Sequence, residues 1–189
     1  MYYTMRWYVD GSDVPSVLSA AVNALKRYGA ILTEEAHYPA GLGFDFPFAL
    51  RDDSILVPPY LTLWVRQRDT PPYYICVDLD CAIGVLWEGD YGRRNMQSLV
   101  TLGDAIYTSI SPIFGVGNDE TYNSLTLEDF LETRIPVGAQ FVYVGAGLVH
   151  TVNWEALKGR RFARVSLPDG GVRVENPGPP SVPPLDLRV

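Results

Sequence analysis

Cysteine and histidine are scarce in this chain, two of each among 189 residues. No His-x-x-x-His or Cys-x-x-Cys metal pattern occurs, and neither does a Gly-x-Ser-x-Gly nucleophile turn or a Walker-type phosphate loop. Long apolar runs are missing as well: none approaches the roughly 20 residues of a membrane helix. The opening MYYTMRWYVDG has no basic leader before an apolar segment. Basic charge is in deficit, 15 Lys and Arg against 22 Asp and Glu, for a formal charge of -7. That balance repels nucleic-acid phosphates and favours either cationic partners or plain solubility. The expectations are a cytoplasmic protein with no membrane or nucleic-acid partner and no cofactor. Cys76 and Cys81 are an odd number of positions apart, so on one strand they face opposite ways and cannot bridge; reduced thiols are expected.

What the chain does have is apolar and aromatic mass. Hydrophobic residues make up 47% and aromatics 12%, with twelve Tyr and four Trp, enough for one sizeable core without metals or disulfides. Residues 1–175 read as a single domain. Residues 176–189 (NPGPPSVPPLDLRV) hold five prolines and read as an extended tail.

Aromatic and strand-favouring residues 2–9 end at Asp10-Gly11, a turn dipeptide, and predict a first strand. Val14, Val17, Leu18, Ala21, Leu25 and Tyr28 recur at steps of three and four behind a Ser12 or Asp13 cap, which predicts a helix. A short strand is expected over 31–35. The Pro- and Gly-rich stretch 37–59 predicts a packed loop, carrying Tyr38, Phe44, Phe46 and Phe48. Residues 61–67 and 73–88 alternate as a long antiparallel hairpin. Residues 89–94 read as a polar turn and Asn95 as the cap of a second helix, with Leu99, Leu102, Ile106, Ile110 and Ile113 as its core stripe. The segment 115–125 reads as turns, Thr126-x-x-Asp129 as a capping box for a short helix, 140–145 as a strand, and 149–158 as a helical turn or two. Residues 161–167 and 172–175 form a closing hairpin. The order predicts an α+β domain: a mostly antiparallel sheet with two amphipathic helices on one face, containing ferredoxin-like elements.

Asp78 and Asp80 in ICVDLDCAIG form the sharpest acidic pair, two apart on one strand and therefore on one face, about 7 Å from each other. With His37 and His150 they could hold a divalent cation or act as acid and base. Since the opposite face of the strand is apolar, the plainer expectation is that the two Asp mark its solvent side and meet a basic partner. Cys76 shares their face, where carboxylates would raise its thiol pKa, the wrong direction for a nucleophile. The pairs Gly41/Gly43, Gly115/Gly117 and Gly145/Gly147 lack the third glycine of a dinucleotide loop and read as turns or bulges. The aromatic loop offers a second contact surface at Phe44, Asp45 and Phe46.

The segments SISPIFGVGNDE, TLEDFLE, QFVYVGAG, LVHTVNWEALKG and LPDGGVRVENPGPP resemble in arrangement the C-terminal half of small bacterial immunity proteins of toxin/immunity systems. The resemblance implies an α+β domain that occludes a cognate toxin without a cofactor, and it carries over no binding residue. The expected function is thus non-enzymatic protein binding, with a basic toxin as partner and Asp78, Asp80, Phe44, Asp45 and Phe46 as contacts. The alternatives are a small metal-dependent hydrolase built on Asp78, Asp80 and a His, and a structural subunit strapped to a neighbour by the Pro-rich tail.

Overall fold

The computed structural model describes residues 2–28, 30–37, 40–45, 60–69, 71–82, 89–119, 125–136 and 138–176. They form an α+β fold around one antiparallel sheet. Its strands are β1 (Tyr2–Val9), β2 (Ile31–His37), β3 (Ala40–Asp45), β4 (Tyr60–Gln67), β5 (Ile75–Ala82), β6 (Phe114–Asp119), β7 (Phe141–Val144), β8 (Ala163–Ser166) and β9 (Val172–Glu175). They lie side by side in the order β2-β3-β4-β5-β1-β6-β7-β9-β8. Helices α1 (Val14–Arg27) and α2 (Gly89–Ile110) pack together on one face. With β1, β4, β5 and β6 they have the antiparallel β4-β5-β1-β6 order of a ferredoxin-like unit, with β2 and β3 inserted between α1 and β4; β3 and β2 extend the sheet at one end and β7, β9 and β8 at the other.

Local signals account for most of these elements. Asp13 caps α1 by accepting from the Ser16 amide at 3.0 Å, Pro15 lies within the first turn, and Ala21, Ala24 and Leu25 form the buried stripe. On α2 the stripe is Met96, Leu99, Val100, Leu102, Ile106 and Tyr107. Both stripes close over Tyr3, Met5 and Trp7 of β1, Leu61, Leu63 and Val65 of β4, and Val77, Leu79 and Cys81 of β5. Period-2 alternation put those strand residues on one face.

A second core covers half of the other face. Helix α3 (Leu127–Thr133) and two 3-10 turns (Ala146–Thr151, Trp154–Leu157) seal Phe114, Val116, Val142, Val144, Val172 and Val174 against Leu127, Phe130, Val152 and Leu157. Thr126 and Asp129 close the expected capping box of α3.

Three expectations are corrected. Helix α2 begins at Gly89, so 89–94 is helical rather than a turn: its glycines and polar residues suggested a turn, but the helix that carries the stripe from Met96 onward starts two turns earlier. Part of the expected 37–59 loop is β3, which pairs with β2 and β4; residues 46–59 lie outside the described residues, as do 83–88 and the 177–189 tail. Gly115 and Gly117 belong to β6 rather than to a turn. On its helix-bearing face β6 presents these two glycines, and the space is filled by neighbours: a Cβ on Gly115 would stand 2.5 Å from Trp7 Cδ1, and one on Gly117 2.8 Å from the Tyr3 hydroxyl. Fully buried aromatics, not backbone conformation, require glycine there.

Candidate functional site

The sheet register lines up the side chains of the second face in rows. One runs Trp64, Asp78, Arg6, Val116, Val142, Val174 across β4, β5, β1, β6, β7 and β9; its neighbours begin Thr62, Asp80, Thr4 and Arg66, Cys76, Tyr8. The apolar end of these rows lies under α3 and the 3-10 turns. The polar end, over β4, β5 and β1, has no helix packed on it among the described residues, and it is the candidate site.

Asp78 does not mark a solvent-facing strip. It is 3% exposed and held by two guanidinium groups: Arg6 donates through Nε and Nη2 at 2.6 and 2.8 Å, and Arg66 through Nη2 at 3.2 Å. The carboxylate in turn stabilises the charged form of Arg6, whose pKa is raised. Asp80 has neutral partners, Thr4 Oγ1 donating at 2.6 Å and Trp64 Nε1 at 2.9 Å. Burial pushes its carboxyl above the usual range, and the neighbouring Asp78 charge adds to the rise. With two Arg beside two Asp the patch is charge-balanced, not acidic.

Cys76, next to Asp78 on the same face, is buried with Tyr8 at the margin of the second core, and burial, then Asp78, raise its thiol pKa. Each carboxylate is an acceptor in a lattice of hydrogen bonds across β4, β5 and β1. Side chains already tied to one another across three strands lose little freedom when a partner arrives. Arg66 keeps 57% of its side chain exposed and Arg6 35%, so a contact surface of Arg and Trp stands on a rigid sheet.

The other candidates are dispersed. His37 ends β2, whose neighbour Ala36 aligns through Gly41 and Trp64 with Asp78; three strand spacings of about 4.8 Å put some 14 Å between them. His150 is exposed on the 3-10 turn Ala146–Thr151, which packs over the apolar end of the rows. Among the described residues no group of three His, Cys, Asp or Glu is close enough to hold a metal ion. Phe44 and Asp45 sit on β3 in register with Leu61 and Tyr60, next to the patch; their side chains and Phe46 lie outside the described residues.

Thr4, Arg6, Trp64 and Arg66 were not singled out from sequence. A signal was present: Thr4, Arg6 and Tyr8 alternate with buried Tyr3, Met5 and Trp7, and Trp64 and Arg66 with Leu63 and Val65. Pairing them with Asp78 and Asp80 required the strand order.

A second buried charge group ties α2 to the sheet. Arg173, 5% exposed on β9, donates to Glu175 Oε1 through Nη2 and Nε at 2.7 and 3.0 Å and through Nη1 to Asp104 of α2. It faces the helices and is a packing device, outside the candidate site.

No protein-family model matches the chain, and a search of curated proteins finds no match either.

Proposed function

We propose that this chain is a non-enzymatic protein-binding domain of the immunity type, which occludes a cognate toxin with the polar face of β4, β5 and β1. The observation that carries this reading is the preorganised lattice of Arg6, Arg66, Asp78, Asp80, Thr4 and Trp64, with Arg66 more than half exposed on a sheet face that no described helix covers. Arg and Trp are the residue types that anchor interfaces, and a rigid surface spends little binding energy on ordering itself. The formal charge of -7 steers a basic partner toward the molecule, while the balanced patch fixes its register. Phe44 and Asp45 belong to β3, the strand bordering β4. In this reading the chain acts in the cytoplasm of the cell that makes it.

The test is a pull-down from lysate of the source cell at low and raised salt, followed by assay of the captured protein's toxicity with and without this chain. The expected result is a basic protein that salt releases, that this chain inhibits, and that Trp64→Ala and Asp80→Asn retain poorly while staying folded. A captured protein indifferent to both variants, or one that is not inhibited, overturns the reading.

A further inference from the structure

At the far end of the sheet from that patch, β8 is an edge strand that pairs with β9 alone among the described residues, and Ala163, Arg164 and Ser166 are exposed. An edge strand offers a row of unpaired amide and carbonyl groups to any extended chain that approaches. The sequence around it is basic in an acidic protein: Lys158, Arg160, Arg161 and Arg164 fall within seven positions with no acidic residue among them. Lys158 pairs with Glu155, and Arg164 lies 4.1 Å over the Trp154 ring. Arg160 and Arg161 are exposed and have no carboxylate partner among the described residues.

On the helix-bearing side β8 borders a cavity of about 360 Å³, at the lower end of the range of ligand pockets. Ala105 and Thr108 of α2, Ala24 and Arg27 of α1, and Val165 and Leu167 line it. Val165 pairs with Arg173 and so faces this side. A strand added beside β8 alternates its side chains between the two faces, and those on the helix side project next to the cavity.

We infer that the β8 edge is a second docking site, which takes an extended acidic segment of a partner protein by strand addition, with the cluster at 158–164 neutralising its carboxylates. Charge selects the occupant. Two copies of this chain joined edge to edge would set Arg160, Arg161 and Arg164 against their own kind, whereas an acidic strand meets complementary charge along the roughly 13 Å of a four-residue strand. The cations thus have a double effect: they disfavour self-pairing and recruit one class of partner.

The probe is a fluorescein-labelled peptide of alternating Glu and Val, titrated into the full chain by fluorescence anisotropy at low salt. Two companions are the same peptide with alternate amides N-methylated and one with Lys in place of Glu. The Glu peptide is expected to bind, the N-methylated form at least about tenfold more weakly and the Lys form not at all, with slowed amide exchange at 163–166 on binding. Exchanging Arg160 and Arg161 for Glu, both exposed and so without effect on folding, is expected to weaken the Glu peptide by about tenfold or more. Equal binding of the N-methylated peptide would show charge attraction without strand addition and overturn the inference. So would failure of the Glu peptide to bind at millimolar concentration, or indifference to the Arg160/Arg161 variant.

Discussion

Replacing Asp78 and Asp80 by Asn, one at a time, separates two carboxylates that sequence alone treats as equivalents. Asp78→Asn removes the negative charge and one of the two acceptor oxygens of a bidentate pair, sets an amide donor against a guanidinium donor, and leaves Arg6 without a counter-charge. Breaking a fully buried pair from one side costs about 3–5 kcal/mol. Arg6 is one-third exposed and Arg66 more than half, so water recovers part of the loss and about 2 kcal/mol is expected. With a urea slope of about 2–3 kcal/mol/M for a domain of this size, the midpoint falls by roughly 0.7–1 M, read from tryptophan fluorescence. Adding Arg6→Met should return at least about 1 kcal/mol, because the less exposed of the two stranded guanidinium groups is then gone and Arg66, more than half exposed, is left to water.

Asp80→Asn behaves differently. The new amide oxygen accepts from Trp64 Nε1, and the amide nitrogen donates to Thr4 Oγ1, since a hydroxyl that now donates can turn and accept. Both contacts survive, a desolvated charge disappears, and the change at neutral pH should stay within about 0.5 kcal/mol. The sign of the pH effect follows from the raised folded-state pKa of Asp80. The folded protein holds that proton more tightly than the unfolded chain, so the contribution to stability is full below the unfolded carboxylate value. It is lost as pH rises through the folded value. Wild type should therefore lose ground to Asp80→Asn over that acidic window and hold a constant offset above it. Equal cost for the two substitutions, or a larger one for Asp80→Asn, refutes the assignment of the ion pair to Asp78 alone.

Gly115→Ala drives a Cβ against Trp7 and the Arg6 carbonyl, neither free to move, and should cost about 2–3 kcal/mol in urea denaturation. Gly117→Ala meets chiefly the Tyr3 hydroxyl, so Tyr3→Phe should relieve part of its cost, with a coupling near 1 kcal/mol in a double-mutant cycle. Thr126→Ala opens the capping box of a helix of only seven residues and should cost about 1 kcal/mol. Burial raises both thiols, Cys81 to about 12, so neither should react with a thiol reagent at mildly alkaline pH until denaturant is added, as counted by absorbance.

Elements with a local signature were legible. Period-2 alternation placed β1, β4 and β5, the i/i+3/i+4 stripe placed α1, and Thr126 with Asp129 placed the start of α3. Where composition and tertiary context conflict, context prevailed. β6, FGVGND, has the glycine content of a turn, and it is a strand because Trp7, Tyr3 and Phe141 supply from neighbouring strands the bulk its own residues lack. β3 was hidden in the same way: Gly41 and Gly43 lower strand propensity, but β2 and β4 on both sides satisfy its backbone.

The site was legible only by half, and the reason lies in the range of the interactions. That Asp78 and Asp80 share a face follows from their spacing. Whether that face is an acidic strip or a neutral lattice depends on residues up to 76 positions away, Thr4 and Arg6, and on a register that no local pattern encodes. The distinction governs how any binding experiment is interpreted. In a bare acidic strip both Asp would be interchangeable contacts, and removing either would weaken a basic partner without touching the fold. In the observed lattice Asp78 is a structural residue whose removal destabilises the very face under test, while Asp80 and Trp64 can be altered with the sheet intact. A partner lost equally with Asp78→Asn and Asp80→Asn, at temperatures where both variants remain folded, would identify the patch itself as the interface. One lost with Asp78→Asn alone, and regained on cooling, would report only the stability of the sheet.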